Sequence, residues 1–202
     1  METRPCRVFL LAVLLIATVL SRSLYAESAG LEHLKTSIAS LQQVLRDSML
    51  ASGERLLQRR KLERTILKQL FDFQEMSRRS LGANARKYED RLPEFTPLFV
   101  DFLEHAYMKI LEDNGDAKIR YVKEIGNGEN LEVETIARLK DGNEYRVDYK
   151  LYMTAVGWRA YDVVVEGISL VNNYRSQFDR VLNKKSFDGL LQDLRDKKTT
   201  FN

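Results

Sequence analysis

Apolar residues recur at helical spacing through the first hundred residues, switch to alternate positions near Gly115, and return to helical spacing after Gly167. Leu31, Leu34, Ile38, Leu41 and Leu45 form a narrow stripe on an otherwise polar helix. A second helix follows Gly53, with Leu56, Leu57, Leu62, Ile66, Leu67 and Leu70 among basic residues, and Arg59-Arg60-Lys61 reads as a solvated face. At Phe71-Asp72-Phe73 a short helix starts. Asp72 is placed to cap the free amides, Glu75 to reach back in a capping box, and Gly82 to end the helix. Phe71, Phe73 and Met76 then point at something apolar, either ordinary core or the wall of a ligand cavity. Pro93 opens the clearest helix, where Phe95, Leu98, Phe99, Phe102, Leu103, Tyr107 and Ile110 make a broad aromatic face that ends near Asn114-Gly115.

Period two predicts four strands, Ala117 to Ile125, Leu131 to Leu139, Glu144 to Met153 and Trp158 to Val165, separated by Gly126-Asn127-Gly128, Asp141-Gly142 and Val156-Gly157. Turns this short imply an antiparallel meander. Leu131, Val133, Thr135 and Ala137 share one face, as do Tyr145, Val147, Tyr149, Leu151 and Met153, while charged residues occupy the other. One sheet face is therefore apolar, and the Phe-rich helix is expected to cover it. Trp158 and Tyr161 suit anchors of the last strand. That strand turns into a helix at Glu166-Gly167-Ile168-Ser169, where Gly167 permits a left-handed backbone and Ser169 can cap a helix carrying Leu170, Tyr174, Phe178 and Val181. A last short helix starts near Ser186, with Leu190, Leu191 and Leu194 inward and Lys197-Lys198 at its negative end. The expected fold is α+β, with helices on one face of a curved antiparallel sheet of about four strands enclosing an apolar cavity.

Residues 1–26 read as a secretory signal peptide: Arg4 and Arg7 precede an apolar run from Val8 to Leu20, and Leu24-Tyr25-Ala26 offers cleavage near Ala26. Such a run spans about 20 Å of a roughly 30 Å hydrocarbon core, too short for an anchor. Residues 27–202 are then one domain. Removing Arg4, Arg7, Arg22 and Glu2 leaves 29 basic and 28 acidic residues, a net charge of +1. The sequence pI of about 8.9 thus says little about partners, and a basic-patch case for nucleic acid has no support. The one cysteine, Cys6, leaves with the leader, so the exported chain has no thiol chemistry. Export without an anchor signal points to a bacterial periplasm.

Chemistry-bearing motifs are scarce. There is no Gly-x-Ser-x-Gly, His-x-x-x-His or glycine-rich phosphate loop, and His33 and His105 lack metal-ligand spacing. Asp162 and Glu166 stand out on the strand that leads into the corner. They suit either an acid–base pair or, more simply, caps and a bond to Arg175, and Arg175 also suits an anionic headgroup. No catalytic residue, metal site or cofactor is expected.

Phe71-Asp72-Phe73-x-x-Met76 with Leu81-Gly82, then Trp158-x-x-Tyr161-Asp162-Val163-x-x-Glu166-Gly167-Ile168-Ser169-Leu170 and Asn173-Tyr174-Arg175-x-x-Phe178, resemble the MlaC, or toluene-tolerance auxiliary, family. The resemblance spans nearly all of the chain after the leader. Ala85 departs from it, standing where the family usually has tryptophan, which leaves the packing of that corner and the width of a pocket there open. The resemblance implies a monomeric periplasmic phospholipid carrier that is not an enzyme. Its cargo moves between an outer-membrane lipoprotein complex and an inner-membrane ABC transporter complex with a membrane-anchored lipid-binding subunit, keeping outer-membrane lipids asymmetric. Lipid-cavity candidates are Phe73, Met76, Phe99, Phe102, Val133, Val147, Tyr149 and Tyr174, with Arg175 a headgroup contact and Gly167 a hinge. Alternatives are another apolar cargo, such as a hopanoid, and a ligand-free interaction module.

Overall fold

A computed structural model of the protein describes residues 29–50, 53–126 and 128–196. The leader with Cys6, Asn127 of the first turn, and Lys197-Lys198 lie outside the described residues. The period-two stretches form β1 (Lys118–Gly126), β2 (Asn130–Arg138), β3 (Glu144–Thr154) and β4 (Gly157–Val165), and a two-residue β5 (Ile168–Ser169) adds to them in one antiparallel meander of order β1-β2-β3-β4-β5. Val133 pairs with Tyr149, Thr135 with Val147 and Leu131 with Leu151. Directly opposed side chains share a face, so the predicted apolar face is continuous across β2 and β3.

In β4 the burial pattern hides a change of face. Trp158 and Ala160 oppose Met153 and Leu151 on the apolar face, but Asp162 and Val164 oppose Lys150 and Asp148 on the other, because Tyr161 is an extra residue in the register. Such a bulge shifts the side-chain parity by one. All four even-numbered residues are buried, two on each side of the sheet. The strand therefore meets one layer early in its length and another late.

Two apolar clusters result. In the first, Leu131, Val133, Leu151, Trp158 and Ala160 of the sheet meet Leu34 and Leu70, with Leu31 and Ile38 alongside. These come from α1 (29–46) and from the end of α2 (Arg55–Leu70). The narrow stripe on α1 is thus what covers the sheet, rather than the Phe-rich helix. That helix, α5 (Leu92–Asp113), packs instead with α3 (Phe73–Leu81), α4 (Asn84–Lys87), α6 (Leu170–Lys184) and α7 (Phe187–Arg195) in the second cluster. Phe99 stands edge-on to Phe178 and Tyr174 with ring centroids 5.3 and 5.4 Å away, and Phe95 stacks on it at 5.6 Å. An aromatic face this broad finds more partners among four other helices than on a sheet of smaller side chains.

Helix starts follow the expected caps. Asp72 accepts from the Glu75 amide at 2.9 Å, Ser169 from Asn172 at 3.0 Å and Ser186 from Gly189 at 3.2 Å. The reciprocal half of the capping box is missing, because Arg78 and Arg79 both bind the Glu75 carboxylate. Arg59 is not on a solvated face either. It is buried against Glu63, which accepts from its Nε at 2.8 Å, and only Arg60 and Lys61 of that triplet are exposed.

Gly30 sets how closely α1 approaches the sheet. A Cβ there would lie 2.6 Å from Leu131 Cδ2 and 3.0 Å from the Trp158 ring. Gly30→Val is expected to cost about 1–3 kcal/mol through overpacking, read as a lower urea midpoint with an unchanged m-value.

Candidate functional site

At the outer edge of β4 the chain between α2 and α3 joins the sheet. Phe71 forms a parallel bridge with Ala160, and the Asp72 amide donates to the Ala160 carbonyl at 2.9 Å. Adjacent residues on an extended segment face opposite sides. Phe71 accordingly packs on the sheet cluster, while Asp72 accepts from the Tyr152 hydroxyl at 2.5 Å on the other side. Burial, then the Asp72 hydrogen bond and charge, push the Tyr152 hydroxyl above its usual pKa. Phe71 also touches the helical cluster, so this linker is where the two clusters meet.

A groove of about 600 Å³ opens beside it. Its apolar walls are Phe71 and Phe73, Pro97 and Val100 of α5, and Ala155 and Val156 at the β3–β4 turn. Arg64, Lys68 and Arg159 stand at its rim with Asp72 and Asp101. Arg64 pairs with Asp101 and Glu104. Residues of α2, α3, α5, β3 and β4 meet here, so no local sequence pattern marks the groove. The one visible hint is Val156, a large apolar residue 76 % exposed in a tight turn.

The predicted cavity residues fall in two groups. Met76, Phe99, Phe102 and Tyr174 lie in the helical cluster, with Phe73 packed against it and lining the groove. Val133 lies in the sheet cluster with Tyr149 against it, and Val147 is half-buried farther along β3 in neither cluster. The Tyr107 and Tyr174 hydroxyls are 3.0 Å apart, which satisfies two polar tips inside an apolar layer. Burial pushes both Tyr149 and Tyr174 above their usual pKa, so each is a neutral phenol at physiological pH.

The strand-to-helix corner is bonded on either side of Gly167, which itself packs against nothing within 4 Å of a would-be Cβ. Glu166 and Gly167 have φ of 49° and 79°, a two-residue hairpin turn in which both residues are left-handed. Glutamate is unusual there, and its Oε1 accepts from the Arg146 amide of β3 while its own amide donates to the Arg146 carbonyl. Asp162, 4 % exposed, accepts from Ser169 Oγ at 2.6 Å and from the Val171 amide at 3.1 Å, holding the start of α6. Neither residue is placed as an acid–base pair. Arg175 does not bond Asp162. Its Nε donates to the Arg79 carbonyl at 2.8 Å, its side chain lies under Gly82, and it does not line the groove. Trp158 and Tyr161 anchor β4 as expected: the Trp158 ring is buried against α1, and the Arg79 guanidinium stacks 4.0 Å over the Tyr161 ring. The polar handle expected of Trp158 is unused, since its buried Nε1 has no hydrogen-bond partner among the described residues.

A second cleft of about 440 Å³ is lined by Gly82, Ala83, Ala85 and Leu92 with Arg78, Arg86 and Glu89. No cluster of three or more metal-binding side chains occurs among the described residues, and none of their helices is long and apolar enough to cross a membrane.

His33, on α1, has a buried Nε2 with no hydrogen-bond partner among the described residues. Burial, then the Arg159 charge, lower its pKa below the ordinary 6.5, against a raising hydrogen bond to the Gln69 backbone. The unfolded chain takes up a proton near pH 6.5 that the folded protein refuses, so this term erodes stability as the pH falls from about 6.5 towards the folded value. His33→Gln is expected to flatten that part of the profile, read as a smaller difference between urea midpoints at pH 7.5 and pH 5.5.

The model of the MlaC protein family matches residues 35–196, and the chain belongs to that family. Among solved structures, the phospholipid-binding protein of Ralstonia solanacearum, in complex with a phospholipid, superposes with a TM-score of 0.74 at 20% identity over 84% of this chain and 96% of that one. A search of curated proteins gave no match. At that identity the structural likeness speaks for the fold.

Proposed function

We propose that this protein is a periplasmic phospholipid carrier, monomeric, that passes lipid between an outer-membrane lipoprotein complex and an inner-membrane ABC transporter complex. The observation that carries this reading is the groove at Phe71–Phe73, an apolar opening at the meeting of two apolar clusters, in a family member whose fold is shared by a phospholipid-bound protein. Its volume, about 600 Å³, is within the roughly 300–1,000 Å³ of ordinary ligand sites. Burial of the acyl tails supplies most of the hold on the cargo, and the reading calls on no catalytic group, metal or cofactor. At about 0.8 kcal/mol per buried methylene, two acyl chains with roughly 28 methylenes would forfeit on the order of 20 kcal/mol in water. A lipid therefore crosses an aqueous compartment only inside a carrier.

The test is native mass spectrometry of detergent-free mature protein, with extraction and identification of any bound lipid. One phospholipid per chain is the expected mass. A clean apo mass, together with failure to load from phospholipid vesicles, overturns the reading. A polycyclic lipid is the second reading, favoured by the extra cleft at Ala85, and the same extraction would reveal it.

Release requires a partner to open the carrier, and Gly167 is the proposed hinge. Its φ of 79° is hard for a β-branched residue. Gly167→Val is expected to slow transfer to acceptor vesicles several-fold while Gly167→Asn, which tolerates this backbone, keeps it near wild type. Equal rates for all three would remove the hinge.

A further inference from the structure

Lys68 at the end of α2 and Arg159 at the start of β4 both line the groove, and among the described residues no carboxylate is hydrogen-bonded or ion-paired to either. Arg159 Nη1 donates only to the neighbouring Trp158 carbonyl at 2.7 Å. The two carboxylates on the same rim are already engaged: Asp101 with Arg64, and Asp72 with the Tyr152 hydroxyl and the Glu75 amide. Of the three cations that line the groove, Arg64 is the one already committed, to Asp101 and Glu104. The groove thus carries two cations without a carboxylate partner among the described residues, lining it together with the apolar Phe71, Phe73 and Val100. That juxtaposition complements an amphiphile with a net negative head and an apolar body.

We propose that Lys68 and Arg159 form a headgroup site that favours anionic over zwitterionic phospholipids at this groove. The proposal rests on the carrier reading and adds selectivity to it. Every diacyl phospholipid brings a phosphate, but in phosphatidylethanolamine an ammonium on the same head neutralises it and competes for the space beside it. Phosphatidylglycerol has no such cation, so both rim charges gain from its net charge. Each contact is half in solvent and therefore modest, yet two acting on one head suffice for discrimination. Arg159 presents a planar fork suited to two phosphate oxygens, and Lys68 a mobile point charge.

The experiment loads lipid-free protein from vesicles of equimolar, chain-matched phosphatidylglycerol and phosphatidylethanolamine, then quantifies both lipids on the re-isolated protein. Wild type is expected to take phosphatidylglycerol over phosphatidylethanolamine by about fivefold. The Lys68→Gln/Arg159→Gln variant is expected to bring that ratio close to one by loading less phosphatidylglycerol, with phosphatidylethanolamine loading kept. A wild-type ratio near one, or a variant that keeps the wild-type preference, overturns the headgroup site while leaving the carrier intact. No loading of either lipid overturns carrier and site together. Inorganic phosphate forms the second arm: calorimetric binding to lipid-free wild type that the double variant loses, combined with equal loading of the two lipids, would reassign the cations to a free anion and overturn the proposal.

Discussion

Phe99→Ala is expected to destabilise the lipid-free protein by about 3–5 kcal/mol, the range for deleting a fully buried aromatic side chain. Phe99 is 1 % exposed and its ring meets Phe95, Phe178 and Tyr174 at centroid distances of 5.3–5.6 Å. Two of those contacts are edge-to-face, each adding about 0.5–1.5 kcal/mol to plain burial. Urea unfolding at pH 7.5 measures it, and the size of the loss decides what Phe99 is in the lipid-free state. A loss in that range means helix-to-helix core. A loss near 1 kcal/mol would mean that the ring borders space already available to a ligand, and that acyl chains rather than Phe178 and Tyr174 are its main partners. Repeating the measurement with lipid bound extends the distinction, since a ligand that binds only the folded state adds the same linkage term to both proteins unless Phe99 touches it.

The helices and strands were legible because each carries its own period and punctuation. Asp72, Ser169 and Ser186 cap where they were placed, and Gly82 and Gly167 take the left-handed backbone. The pairing of layers was not legible. Periodicity says that α1 has a narrow stripe and α5 a broad one, but not that the narrow one covers the sheet through Leu34 while the broad one turns to α6 and α7. The bulge at Tyr161 was equally hidden, since β4 reads as one alternating strand on either side of it. Within the motif that carries the resemblance, Asp162, Glu166 and Arg175 show side-chain bonds to backbone that hold α6, β3 and α3 together. The groove came from none of these. Lys68, Pro97, Val156 and Arg159 are spread over some ninety residues, and only the fold brings them together.

Locking Phe71 to Ala160 is expected to close the carrier. For tails to reach from the groove into either cluster, the layers must part, and the linker between α2 and α3 is the strand-like tie across that seam. Partners in a bridge lie about 5 Å apart, inside the 4.4–6.8 Å between Cα atoms that a disulfide spans. The single native cysteine, Cys6, belongs to the predicted leader, so a Phe71→Cys/Ala160→Cys variant of the mature chain has only the introduced pair to oxidise. Oxidised, it is expected to load phospholipid from vesicles about tenfold less than when reduced, because the binding-competent population falls with the opening that the bond forbids. Reductant should restore uptake to the level of the two single-cysteine variants, which separates the lock from the loss of the Phe71 ring. Equal uptake in both redox states would place entry elsewhere, with tails passing between Phe73 and Val100 while the linker keeps its bond to the sheet. The two outcomes distinguish a carrier that opens by parting its layers from one whose groove already admits its cargo.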